Sequence, residues 1–73
     1  MKKGILWFDD SNAEFGEKVA QAMDYVHKKY RKEPRFCFVH PSMLENGMSS
    51  VKGLKICTNS SVMPNHFWLE LVL

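Results

Sequence analysis

The stretch Ile5-Leu6-Trp7-Phe8-Asp9-Asp10-Ser11-Asn12-Ala13-Glu14 decides the fold. It begins with a continuous apolar run of β-forming side chains, Ile5 to Phe8, short enough for a strand with both faces buried. Asp9 and Asp10 close the run. Ser11 and Glu14 then have the spacing of a capping box, in which the hydroxyl accepts from the amide three residues on and the carboxylate reaches back. A strand feeding directly into a helix is the expectation.

Beyond the cap, Phe15, Val19, Ala22, Met23, Val26 and Tyr30 recur at steps of three or four and form one apolar stripe. Glu17, Lys18, Gln21, Asp24, Lys28 and Lys32 fall on the opposite face, with acid near the start and base near the end, as the helix dipole favours. Pro34 ends the element, because the residue before a proline is pushed out of the helical region. The spacing predicts a helix over 12–31.

Three further apolar segments follow. Arg35 to His40 reads as a second strand, and Pro41 to Glu45 as a helical turn with proline in its first turn. Asn46-Gly47 marks a turn. Val51 to Thr58 alternates as a strand, with Leu54 and Ile56 on one side and Lys55 and Cys57 on the other. His66 to Val72 reads as the last strand. The predicted class is α+β with an α/β-like start, its β-α-β-β-β order broken by a turn or helical turn at 41–46. It predicts one mixed four-stranded sheet with the long helix on one face, in a single small domain over 1–73. The first two strands, joined through a helix, are expected to be parallel neighbours in a right-handed crossover, and the last two to be antiparallel.

With 73 residues, 45% hydrophobic and a net charge of +2, the chain is neither disordered nor long enough for two cores. The apolar runs are strand-sized, so no bilayer span is expected. Lys2 and Lys3 are followed by too short an apolar stretch before Asp9 for a secretory leader. Cytoplasm is the expected compartment. Cys37 and Cys57 lie in apolar segments, where a reduced thiol behaves as a small hydrophobe.

The strands are apolar on both faces, and one helix covers one face. Ile5 and Trp7 oppose Leu6 and Phe8, Phe36 and Phe38 oppose Cys37 and Val39, and Phe67, Leu69 and Leu71 oppose His66, Trp68, Glu70 and Val72. An exposed apolar patch of this kind marks an interface. Trp68, Val72 and Cys57 are the predicted interface residues, and a homodimer made by sheet-face or edge-strand pairing is the predicted assembly, with a further protein partner as an alternative. The competing reading folds the 41–53 segment, with Met43, Leu44 and Met48, back over that face.

Other candidates are weaker. Asp9 and Asp10 stand at the carboxyl end of the first strand, where α/β sheets bind ligands, and paired carboxylates there can hold magnesium. If the first two strands are neighbours, His40 and Ser42 join them, and a metal-dependent hydrolase at Asp9, Asp10 and His40 is an alternative. From Ile5 to Ser11 the chain resembles the acidic pocket of response-regulator receivers. The resemblance spans one strand of a chain too short for that fold, and it implies no activity. Cys37, His40, Cys57 and His66 are the right types for zinc, but Cys37 and His40 leave a strand on opposite faces. Lys28, Lys29, Arg31, Lys32 and Arg35 form a basic run that could contact phosphates, which makes nucleic-acid binding a second alternative. His66-Phe67-Trp68 could stack on a peptide or a base, or fill the core or an interface. With four glycines and none suitably spaced, there is no phosphate-binding loop or dinucleotide fingerprint, and no cofactor is expected. The leading expectation is a non-enzymatic, self-associating interaction module.

Overall fold

The structure is a computed structural model that describes residues 3–44, 50–51 and 53–71. The elements run β1 (Gly4–Phe8), α1 (Phe15–Tyr30), β2 (Pro34–Val39), a 3-10 turn (Pro41–Met43), β3 (Ser50–Val51), β4 (Leu54–Thr58) and β5 (His66–Leu71). The α+β class and the element order are as expected, but among the described residues the sheet has five strands, in the order β1-β5-β2-β4-β3. The additional strand comes from splitting the predicted Val51 to Thr58 strand. Val51 pairs with Leu54 across a tight hairpin, and Gly53 takes φ 84°, a conformation glycine adopts without steric cost.

The larger correction concerns neighbours. β1 and β2 are parallel to each other but do not touch, because β5 lies between them and is antiparallel to both. β4 is parallel to β2. β4 and β5 therefore run in opposite directions but are separated by β2. The 59–65 connection carries the chain past the end of β2: Asn59 donates its amide to the Val39 carbonyl at 2.9 Å. Its side chain accepts from the Ser61 amide at 2.8 Å, and Val62 is buried beneath the turn. Asn65, at φ 66°, then turns the chain into β5. A connection of this length resembles a hairpin loop by length alone, but β5 lies on the far side of β2 from β4, which makes it a crossover. β5 gains a central position in keeping with its composition, since Phe67, Leu69 and Leu71 are all buried.

The helix starts at Phe15, later than predicted, and the capping box does not form. Glu14 is the N-cap and makes no side-chain cap hydrogen bond. Ser11 instead accepts from the Ala13 amide at 3.3 Å and donates its own amide to Asp9 Oδ1 at 2.9 Å, so both side chains serve the turn before the helix. The helix ends at Tyr30, and Arg31 takes a left-handed conformation that returns its amide to the His27 carbonyl.

Val19 and Ala22 pack on Cys37, Val39, Leu54, Ile56, Phe67 and Leu69 to form the core. Two stripe assignments change. Lys18, expected on the polar face, is 7% exposed and extends along the core so that Nζ donates to the Asp9 carbonyl at 3.3 Å. Tyr30, expected in the stripe, is 39% exposed. Tyr25 packs its ring 5.1 Å from Trp7. No helix among the described residues is long and apolar enough to cross a membrane.

Candidate interaction surface

Strand alternation divides the sheet into a helix face and an open face. The helix face carries Trp7, Cys37, Val39, Leu54, Ile56, Phe67 and Leu69. On the open face the strand registers align side chains into rows. Leu6 lies opposite Trp68, Trp68 opposite Phe38, and Phe38 opposite Cys57. A second row runs through Gly4, Glu70, Phe36, Lys55 and Ser50. Phe8 lies opposite His66 in a third, with ring centroids 4.9 Å apart. Phe36 and Phe38 stack at 6.4 Å.

Leu6 and Phe8 are each 57% exposed, whereas Phe36, Phe38, Cys57, His66 and Trp68 are half-buried. The apolar exposure of this face is thus greatest on β1, at the edge of the sheet. Trp68 closes over the neighbouring strand: a Cβ built on Gly4 would lie 2.8 Å from Trp68 Cε2 and 2.5 Å from the Leu69 carbonyl oxygen. Only glycine fits there, and the indole uses the space. Among the described residues the Trp68 indole N–H, like that of Trp7, is buried without an acceptor, a cost of roughly 1–3 kcal/mol for each.

Of the predicted interface residues, Trp68 and Cys57 lie on this face, and Val72 lies outside the described residues. Met43 and Leu44, proposed as a cover for the face, pack against the helix-side core instead. Met48 lies outside the described residues. The two thiols are free and sit on opposite faces. Burial, and secondarily the nearby Cys57, push the Cys37 thiol up to about 12.

The other candidates do not converge. Asp9 and His40 end β1 and β2 at the same end of the sheet, but β5 separates the strands. Asp9 is held below the usual carboxylate range by hydrogen bonds from the Ser11 side chain and amide. His40 Nδ1 accepts from the Ser42 amide at 3.1 Å and lies 2.7 Å from its Oγ, which caps the 3-10 turn. Among the described residues, no three His, Cys, Asp or Glu side chains group to hold a metal ion, so Asp9, Asp10 and His40 form no such cluster. A cleft of about 200 Å³ between the helix start and the 3-10 turn is lined by Ala13, Glu14, Phe15, Lys18, Ser42 and Met43. It is smaller than typical ligand pockets of roughly 300–1,000 Å³.

In the basic run all five side chains are exposed, but part of the charge is used locally. Lys28 pairs with Asp24 at 3.1 Å. Lys29 bonds the Tyr25 hydroxyl at 3.0 Å and lies over the Tyr25 and Tyr30 rings. The Tyr25 hydrogen bond raises the Lys29 pKa. Arg31 forms the helix cap.

Sequence reading missed three features of the open face: the β1–β5 pairing, the indole over Gly4 and the tilted contact of Phe8 with His66. All three depend on strand order. A signal for the second was present in Gly4 opening an otherwise bulky strand. Comparison with protein-family models, with curated proteins and with solved structures found no match.

Proposed function

We propose that this protein is a self-associating interaction module that acts by binding rather than by catalysis, with the open face of the sheet as its contact surface. The observation that carries this reading is the continuous row Leu6–Trp68–Phe38–Cys57, bordered by Phe8 and Phe36, on the face the helix does not cover. Soluble proteins bury such patches against partners. A second copy of the chain is the proposed partner, because a closed two-fold dimer engages the same surface on both copies at once. Two unbridged thiols suit a cytoplasmic setting, which is the proposed compartment.

Light scattering during size exclusion, over a range of concentrations, tests the proposal. The native chain is expected at dimer mass and Trp68→Lys at monomer mass with its helix content intact. A native chain that stays monomeric throughout overturns it.

A further inference from the structure

The edges of the sheet differ as much as its faces. β3, at one edge, has two residues, and very short edge strands are a common way to prevent unwanted pairing. β1, at the other, is a five-residue strand, Gly-Ile-Leu-Trp-Phe, with no charge and no proline. Among the described residues no strand pairs with its outer side.

The hydrogen bonds fix which way its peptide groups point. Leu71 donates its amide to the Lys3 carbonyl at 3.0 Å, and Asp9 donates to the Asn65 carbonyl at 3.0 Å. In an antiparallel pair, residues alternate between exchanging hydrogen bonds with the partner strand and directing them away. In this register Lys3, Ile5, Trp7 and Asp9 therefore bond towards β5, and Gly4, Leu6 and Phe8 direct both N–H and C=O outward. Leu6 and Phe8 are also the most exposed apolar residues of the open face.

We infer that two copies join through β1, antiparallel about a two-fold axis at Leu6, to make one continuous sheet. This rests on the self-association proposed above and places its contact at the β1 edge of the open face, so that in the joined sheet the two open faces lie side by side. The register follows from symmetry and from the outward groups: Leu6 faces its own copy, and Gly4 faces the partner's Phe8. Each of these positions is an outward-pointing one, so every pair exchanges two hydrogen bonds. Side chains agree with the backbone. The Leu6 side chains meet across the axis, which joins the Leu6–Trp68–Phe38–Cys57 rows of the two copies end to end. Each Phe8 ring comes beside Gly4, whose side-chain space the Trp68 indole fills, so the ring meets an aromatic neighbour there. Opposed slots of this kind suit aromatic and small partners. A shift of register by one residue would place inward-bonding residues against outward ones and lose the pairing.

Amide hydrogen exchange on the native chain, run beside the light-scattering mass, tests this. At dimer concentrations the Gly4, Leu6 and Phe8 amides are expected to exchange at least about tenfold more slowly than after dilution to monomer. Ile5 and Trp7 should stay protected at both. A dimer mass with fast exchange at Gly4, Leu6 and Phe8 overturns the edge pairing and leaves the self-association proposal standing, whereas a monomer mass overturns both. Leu6→Cys in a Cys57→Ser chain gives a second readout. Opposed residues in such a pair lie about 5.5 Å apart at Cα, within disulfide range, so mild oxidation should link the dimer covalently. A dimer that oxidation leaves unlinked counts against the register.

Discussion

On β5, Phe67 and Leu69 point to the helix and are fully buried, while Trp68 between them points away and stays half-buried. The same alternation recurs on β2, where Cys37 and Val39 are buried and Phe36 and Phe38 are only partly covered. Successive side chains of a strand differ in environment by which face they leave, not by how apolar they are. A single helix supplies enough surface for one face. The other face carries comparable aromatic side chains, which among the described residues are covered mainly by one another.

Paired substitutions on the two faces separate these roles. Phe67→Ala should cost about 3–5 kcal/mol, because it opens a cavity under the helix, and that is much of the stability of a small domain. Phe8→Ala should change monomer stability by no more than about 0.5 kcal/mol, while weakening association. Urea unfolding at low protein concentration measures the first effect and the mass at high concentration the second. If Phe8→Ala destabilised the dilute monomer as much as Phe67→Ala, the faces would not differ in the way described.

Gly4→Ala comes next in size. The added methyl meets the Leu69 carbonyl and the Trp68 indole, and overpacking of this kind costs about 1–3 kcal/mol. The Trp68 fluorescence should shift as the ring moves, which a merely local change in β1 would not cause.

The two thiols sharpen the comparison with a smaller effect. Alkylation at neutral pH should modify the half-buried Cys57 and spare Cys37 until the chain unfolds. Cys37 also predicts a pH dependence. Its folded-state pKa, pushed up to about 12 from an ordinary 9.0, lies above the unfolded value. The unfolded chain therefore loses this proton first as pH rises. Its contribution to stability is complete below pH 9 and declines towards pH 12. Replacing Cys37 by Ala should flatten that alkaline slope in thermal unfolding, and Cys57→Ala should not.

Most of the local structure was legible in the residue pattern. The two-sided character of Leu6, Trp7 and Phe8, the stripe from Phe15 to Val26 and the alternation of Phe67 to Leu71 are short-range signals, and each appears where its period places it. The strand order was not legible. It depends on the 59–65 connection carrying the chain from β4 across to the far side of β2, a choice of side that no short-range pattern of residues encodes. The capping box failed for a local reason, since Ser11 and Asp9 satisfy each other within the turn before any helix begins. Lys18 shows the limit of polarity as a guide, because its aliphatic stem is long enough to be buried while its amine reaches a carbonyl. The open face was legible as a set of alternating residues. The concentration of its apolar exposure at the β1 edge was not, because that follows from β1 standing outermost in the sheet.

A dilution series followed by two-dimensional NMR tests the central claim most directly, because it shows both whether the chain associates and where. Concentration-dependent shifts are predicted at Leu6, Phe8 and Phe38 and at the Trp68 indole N–H, with Val19, Ala22 and Val26 on the buried side of the helix unmoved. Spectra that do not change with concentration, or changes that map to the helix instead, would contradict the assignment of the open face as the contact surface.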